Sequence, residues 1–398
     1  MGDVGGRGPR GGLLPFRRGG ATAASFATSR SCYSMRPRAV AAAIAVALLV
    51  LMRVATAPPP RSAPLRVAVV ASWSGARNTL AHLWLLSSVF EAATGRALAP
   101  VEPEWLPDWL QLRLADVVLF GPYGRADASR EIAGRLRSHG ILTVFFASEF
   151  AIGEANGYGD QMVRDVDISF GHRRDIHVPN YLRMPYWLAD VLDPAHKDRG
   201  MLAILPALRR PGPSPESWRG RSGFAALLSS HRGFPRPELF ELLSRVGGFV
   251  RAPGRAFHNC EWPVGLPTQG NTPNEGNGKV TYLSDVRFNI CPENSRTPGG
   301  GYATEKLVHS LLAGTVPVYW GDAVEADAGF FNFNRVIVYD GENNMSVVDT
   351  VRRLEDDAAY RADWLSQPLL ASSAQAFIDA WFASASRIVS EAARVAGL

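Results

Sequence analysis

From Leu65 onward the chain is built from short runs that are apolar at nearly every position, and this pattern restricts it to few folds. The clearest are residues 65–73, 116–120 and 141–146. A strand with one wet face alternates apolar and polar residues. A run that does not alternate is covered on both faces, as in parallel sheets flanked by helices. Helical stretches such as 131–138 separate the runs. The predicted class is therefore α/β with parallel sheets.

The stretch Arg-Arg-Pro-Gly-Pro-Ser-Pro at 209–215 interrupts the series, and its Pro and Gly content reads as a loop. A second series follows, with strands at 224–228, 286–291, 316–320 and 335–339 and helices at 236–246, 304–313, 346–364 and 374–395. Two α/β domains are predicted, 65–210 and 216–398, the second including the terminal helices. They would face a cleft, and ligands of open α/β sheets bind beyond the carboxyl ends of the strands.

The N-terminal part has a different character. Residues 39–52 are continuously apolar, with Arg38 before them and Arg53 after. Extended to residue 57, with Arg53 reaching toward the interface, the run suits a membrane-spanning signal anchor. Seven arginines and one acid, Asp3, precede residue 39. That balance predicts a cytoplasmic tail at 1–38 and a luminal remainder. A cleaved signal peptide and an organelle transit peptide are the alternatives for this segment. Residues 58–64 are Pro-rich and read as a stiff stem. The overall net charge of +5 owes much to the tail, and no basic stripe marks a nucleic-acid surface. A glycosylation sequon at Asn344-Met345-Ser346 fits a luminal location. Cys32 would lie across that membrane from the rest, so Cys260 and Cys291 could pair only with each other; two free thiols are the preferred reading.

The chemistry concentrates at 288–307, Phe-Asn-Ile-Cys-Pro-Glu-Asn-Ser-Arg-Thr-Pro-Gly-Gly-Gly-Tyr-Ala-Thr-Glu-Lys-Leu. A strand enters a glycine-rich loop that opens a helix, with Thr304 as its expected cap. Backbone N–H groups at such a helix start attract phosphate oxygens. Gly299, Gly300 and Gly301 would let the backbone approach closely, and Lys306 adds a cation for a diphosphate.

These residues resemble the donor-binding motif of the α-1,3-fucosyltransferases, glycosyltransferase family 10. The likeness rests on Glu293-Asn294-Ser295, Tyr302-Ala-Thr304-Glu305-Lys306 and Ala313-Gly314-Thr-Val316-Pro317-Val318. It is strong over 287–321 and weaker over 116–340, where Tyr181-Leu-Arg-Met-Pro185 and Phe145-Phe-Ala-Ser-Glu149 are similar to family segments. Pro292 stands where the family usually has another apolar residue, and the loop 296–301 is longer and richer in glycine. The resemblance implies a GT-B fold of two Rossmann-like domains facing a cleft, an N-terminal acceptor domain and a C-terminal domain holding GDP-fucose. It further implies an inverting transfer of fucose to a glycan hydroxyl, α-1,3 to N-acetylglucosamine, by a Golgi membrane protein of single-pass type II topology. Glu149 matches the general base, and Glu305 would stabilise the cationic sugar carbon or bind ribose. Arg236, Asn294, Tyr302, Glu305 and Lys306 would hold the donor.

No cofactor is required by this reading, because two cations on the leaving group can replace a metal; a divalent ion such as manganese is compatible but not indicated. Asp165-Val-Asp167 has metal-binding spacing but reads as structural, both side chains lying on one strand face. His177 and His258 show no ligand spacing. The rival functions are a transferase using another sugar nucleotide and a glycan-binding relative without turnover.

Overall fold

The computed structural model describes residues 63–70, 76–101, 108–122, 126–147, 160–192, 204–267, 278–296 and 300–398. The basic tail, the anchor at 39–57, most of the stem and Glu149 lie outside the described residues. Among the described residues no helix is long and apolar enough to cross a membrane.

Two sheets organise this part. The first contains β1 (Leu65–Val70), β2 (Leu98–Pro100), β3 (Val117–Phe120), β4 (Leu142–Phe146), β5 (Ile168–Gly171) and β6 (Tyr181–Arg183). The second contains β7 (Gly223–Leu227), β8 (Val250–Arg251), β9 (Val286–Ile290), β10 (Val316–Tyr319) and β11 (Ile337–Val338). Every pairing among them is parallel. The strand orders are β2-β1-β3-β4-β5-β6 and β11-β10-β9-β7-β8. In each sheet the chain starts at an inner strand, adds one neighbour, then crosses to the other side. That reversal makes a crevice at the carboxyl ends, between β1 and β3 and between β7 and β9.

The unalternating runs are explained by burial on both faces: β3, β4, β5, β7, β9 and β10 are buried at every position. The side-chain donors inside β9 are matched individually, although Asn289 Oδ1 is buried without a hydrogen-bond partner. Arg287 bonds Glu355 through Nε and Nη2, at 2.7 and 3.2 Å. The Asn289 amide donates to Ser310 Oγ at 2.6 Å. Unpaired, either group would destabilise the strand.

Helices cover the sheets, among them α1 (Ala76–Thr94), α2 (Ala126–Arg137), α3 (Arg236–Val246), α4 (Lys306–Leu312), α5 (Asn344–Asp356), α6 (Ala358–Ser366) and α7 (Ala374–Ala396). The helix expected over 346–364 is two helices, because the Asp357 carboxylate accepts from the N–H groups of Ala359 and Tyr360 and starts α6 anew. The terminal helix α7, expected with the second domain, packs instead on α1 and on β4, β5 and β6 of the first sheet. Its buried stripe includes Ile378, Trp381, Ala385, Ile388 and Val389, and Trp381 Nε1 donates to the Arg183 carbonyl at 2.9 Å. The two halves also share a core: Trp187 stacks on Phe330 at 4.3 Å and meets Phe331 edge-on at 4.9 Å.

Cys260 and Cys291 are both free thiols, and burial pushes Cys291 up to about 12. The Asp165–Asp167 pair is structural, though not by strand alternation. Asp165 ends the helix Asp160–Asp165 and pairs with Arg130. Asp167 precedes β5, pairs with Arg137 at 2.8 Å and accepts from Thr143 Oγ1 at 2.7 Å.

Candidate functional site

The sequence-predicted donor-binding residues gather at the crevice of the second sheet. The chain leaves β7 and reaches Arg236, the first residue of α3; it leaves β9 and reaches Pro292, Glu293 and Asn294. Arg236 is 3% exposed. Its Nη2 donates to Asn294 Oδ1 at 2.8 Å and to the carbonyls of Glu293 and Pro292 at 3.3 and 3.4 Å. Among the described residues no carboxylate is paired with it. Burial lowers its pKa from the ordinary value, opposed by Glu293 and Tyr302 nearby. A buried guanidinium without an ion-pair partner suits an arriving anion.

Pro292 costs the strand no bond to β10. The Cys291 N–H reaches the Val318 carbonyl at 3.0 Å and the Glu293 N–H reaches the Trp320 carbonyl at 2.8 Å. The residue between them points its nitrogen away from β10, so a proline fits there.

Glu293 lies behind the loop with no exposed surface. It accepts from the Thr304 N–H at 2.8 Å, from Thr304 Oγ1 at 2.7 Å and from Lys306 Nζ at 3.1 Å. Lys306 Nζ also donates to Thr304 Oγ1 at 2.7 Å. The expected helix start is corrected: α4 begins at Lys306, its N-cap is Glu305, and no side chain caps it. Thr304 is spent on Glu293 instead.

Gly299 lies outside the described residues, and Gly301 acts differently from expectation. A Cβ on Gly301 would collide with the His172 carbonyl and Arg183 Nε from the first half. The glycine therefore makes room for protein rather than for phosphate. Arg183 donates to the Gly301 carbonyl at 3.2 and 2.7 Å and forms a two-point ion pair with buried Asp327 at 2.7 and 3.0 Å. Asp327 also accepts from Trp187 Nε1 at 3.0 Å. Asp322 Oδ2 accepts from the N–H groups of Gly301 and Tyr302 at 3.0 and 3.1 Å. Tyr302 is buried, edge-on to His172 at 4.8 Å.

Glu305 shares the Lys306 charge with the Glu293 cluster. Burial opposes its charge, but Lys306, Lys279, His309 and a backbone hydrogen bond act together against burial, and its pKa lies below the ordinary value. His309, one turn along α4, is itself pushed down to about 4 by burial. An open cavity of about 390 Å³ adjoins the cluster, lined by residues that include Phe234, Arg296, Trp320, Asp322 and Glu325.

The structure thus brings together Arg236, Asn294 and Lys306, with Tyr302 and Glu305 on the same loop. It adds Glu293, Thr304, Asp322, Arg183 and Asp327 to the supporting set. The sequence signal for Glu293 was its place beside Asn294. A fully buried acid at a strand end carries no mark that distinguishes it from an exposed one. No group of His, Cys, Asp and Glu suited to a metal occurs among the described residues.

The fold and this loop have counterparts among known proteins. No protein-family model matches the chain. It is 38% identical over 77 residues to Alpha-(1,3)-fucosyltransferase FucT of Helicobacter pylori, covering 19% of this chain and 15% of that protein. It is 31% identical over 78 residues to Alpha-(1,3)-fucosyltransferase B of Drosophila melanogaster, covering 20% of this chain and 17% of that protein. The chain thus matches less than a fifth of the length of either curated relative. A crystal structure of an alpha1,3-fucosyltransferase superposes with a TM-score of 0.54 and 19% identity, over 84% of this chain and 96% of that one. A crystal structure of an alpha1,3-fucosyltransferase with GDP-fucose gives a TM-score of 0.52 and 20% identity, over 83% and 93%. The resemblance to the α-1,3-fucosyltransferases holds in local sequence similarity and in the fold.

Proposed function

We propose that this chain is an inverting glycosyltransferase that moves fucose from GDP-fucose to a hydroxyl of a glycan, α-1,3 to N-acetylglucosamine. The observation that carries this reading is the pair of cations at the crevice of the second sheet. Arg236 touches the backbone of Glu293 and Lys306 touches its side chain, at 3.3 and 3.1 Å. Two cations fixed around one loop suit a diphosphate whose charge grows as the bond to the sugar breaks. The relatives' names and the crystallised GDP-fucose complex support the donor.

In this reaction the acceptor oxygen bonds to C1 of fucose from one face. The C1–O bond to the β-phosphate breaks on the other, and the electron pair leaves with GDP. Glu149 is the proposed base for the acceptor proton. Asn294 fixes the Arg236 guanidinium through a 2.8 Å bond and contacts the donor beside it. Tyr302 and Glu305 border the sugar and ribose. Arg236 and Lys306 neutralise the departing diphosphate, so turnover is expected to continue with EDTA present. The proposed setting is a Golgi membrane, with residues 39–57 as anchor and the described part in the lumen. The test is fucose transfer by the purified chain from GDP-fucose to N-acetyllactosamine, read by mass spectrometry. A product heavier by one deoxyhexose supports the reading; transfer only from another sugar nucleotide would replace the donor assignment.

A further inference from the structure

We infer that Glu293 is a positioning residue that sets the Lys306 ammonium in place before the donor arrives; this rests on the transferase reading above. Glu293 has no exposed surface, so it cannot meet a substrate in this structure. A buried carboxylate is tolerated only when paired and hydrogen-bonded, and the partners of this one show what it serves. Three of its contacts come from Thr304 and Lys306, at the point where the glycine-rich loop becomes α4. The fourth comes from buried Tyr319 on β10, whose hydroxyl lies 3.4 Å away.

The geometry around the ammonium is a triangle. Lys306 Nζ donates to Glu293 Oε2 at 3.1 Å and to Thr304 Oγ1 at 2.7 Å. The Thr304 hydroxyl donates its own proton to the same carboxylate oxygen at 2.7 Å. A lysine on a flexible four-carbon stem has many rotamers to lose, and two fixed acceptors remove most of them. The Lys306 side chain remains a quarter exposed, at 25%. Glu293 is itself held from behind, since its N–H bonds the Trp320 carbonyl at 2.8 Å. Its carbonyl accepts from Arg236 at 3.3 Å. One residue therefore fixes both cations, Lys306 through its side chain and Arg236 through its backbone.

Such a residue acts on the rate through Lys306, and misplacement of a transition-state group by about 1 Å costs on the order of 100-fold. Glu293→Gln keeps the shape and removes the charge. The experiment is a double-mutant cycle of Glu293→Gln and Lys306→Ala in the full chain. It reads kcat and KM for GDP-fucose, GDP affinity by calorimetry, and Tm. The expected result is a kcat loss of about 10- to 100-fold in Glu293→Gln, with KM changed by less than about 5-fold. In the Lys306→Ala background the same substitution is expected to change kcat by less than about 2-fold, because the residue it acts through is gone. Independent, multiplying losses would overturn the inference and leave Glu293 a folding residue. Wild-type kcat in Glu293→Gln would overturn it too. If Glu293→Gln does not fold, Thr304→Val removes the bridging hydroxyl and is expected to show the same coupling to Lys306→Ala; its independence would count against the proposal equally. A wild-type chain that bound GDP but used no fucose donor would remove the functional reading; one that bound no GDP would remove both.

Discussion

Arg236 and Lys306 carry their charges in different ways, and their substitutions should differ accordingly. Arg236 is buried and bonded to neutral oxygens, whereas Lys306 is tied to a carboxylate. Lys306→Ala is expected to lower kcat by about 100- to 1,000-fold in a steady-state GDP-release assay. Arg236→Lys is expected to lose nearly as much, because an ammonium cannot reach Asn294 and the Glu293 carbonyl in one plane. A second residue-scale effect concerns His309. In the unfolded chain it takes up a proton near pH 6.5; in the fold burial delays this to about 4. Its contribution to stability is therefore present above pH 6.5 and is lost as the pH falls toward 4, by about 3 kcal/mol at most. Thermal melts from pH 7 to pH 4 should show this loss, and His309→Gln should flatten it.

At the scale of elements, the loop at 300–306 is the part on which the two halves converge. Gly301 is packed between Asp322 of the second half and His172 and Arg183 of the first. Gly301→Ala is expected to destabilise the fold by about 1–3 kcal/mol through overpacking, seen as a lowered Tm together with weaker GDP binding. This element also shows what could be read from the sequence and what could not. The unalternating runs gave the central strands, and α3 was legible to the residue because Pro237 and an apolar stripe mark it. Lys306 was legible by chemistry, as a cation where a glycine-rich loop opens a helix, whereas Arg236 and Asn294 were legible through the family resemblance. Thr304 was misassigned as a cap because its true partner, Glu293, lies across the loop, and local pattern reports only neighbours within a turn. The role of Gly301 was hidden for the same reason: the atoms it avoids belong to residue 172. The strands β2, β5, β6 and β8 were missed because Pro100, Gly171, Arg183 and Arg251 break their short runs, whereas β3, also four residues, is apolar throughout.

For the whole molecule, the second half is joined to the first through α7, through the Trp187–Phe330 stack and through Asp327. That carboxylate is fully buried and binds Arg183 and Trp187. Asp327→Ala would leave a guanidinium with 14% side-chain exposure without its counter-ion. The expected cost is about 3–5 kcal/mol, read as a shifted urea midpoint. The attachment of α7 to the first sheet was not legible in the sequence, because its stripe shows that it is covered but not by what. The central claim is that the crevice between β7 and β9 binds a guanosine diphosphate sugar and releases GDP. The most direct test is GDP release by the purified chain given GDP-fucose and a panel of N-acetylglucosamine-terminated and lactosamine acceptors, beside Lys306→Ala and Glu149→Gln. Acceptor-dependent release that falls at least about 100-fold in both variants is the expected result. Release that is unchanged in Lys306→Ala, or absent with every acceptor while GDP-fucose still binds, would contradict it.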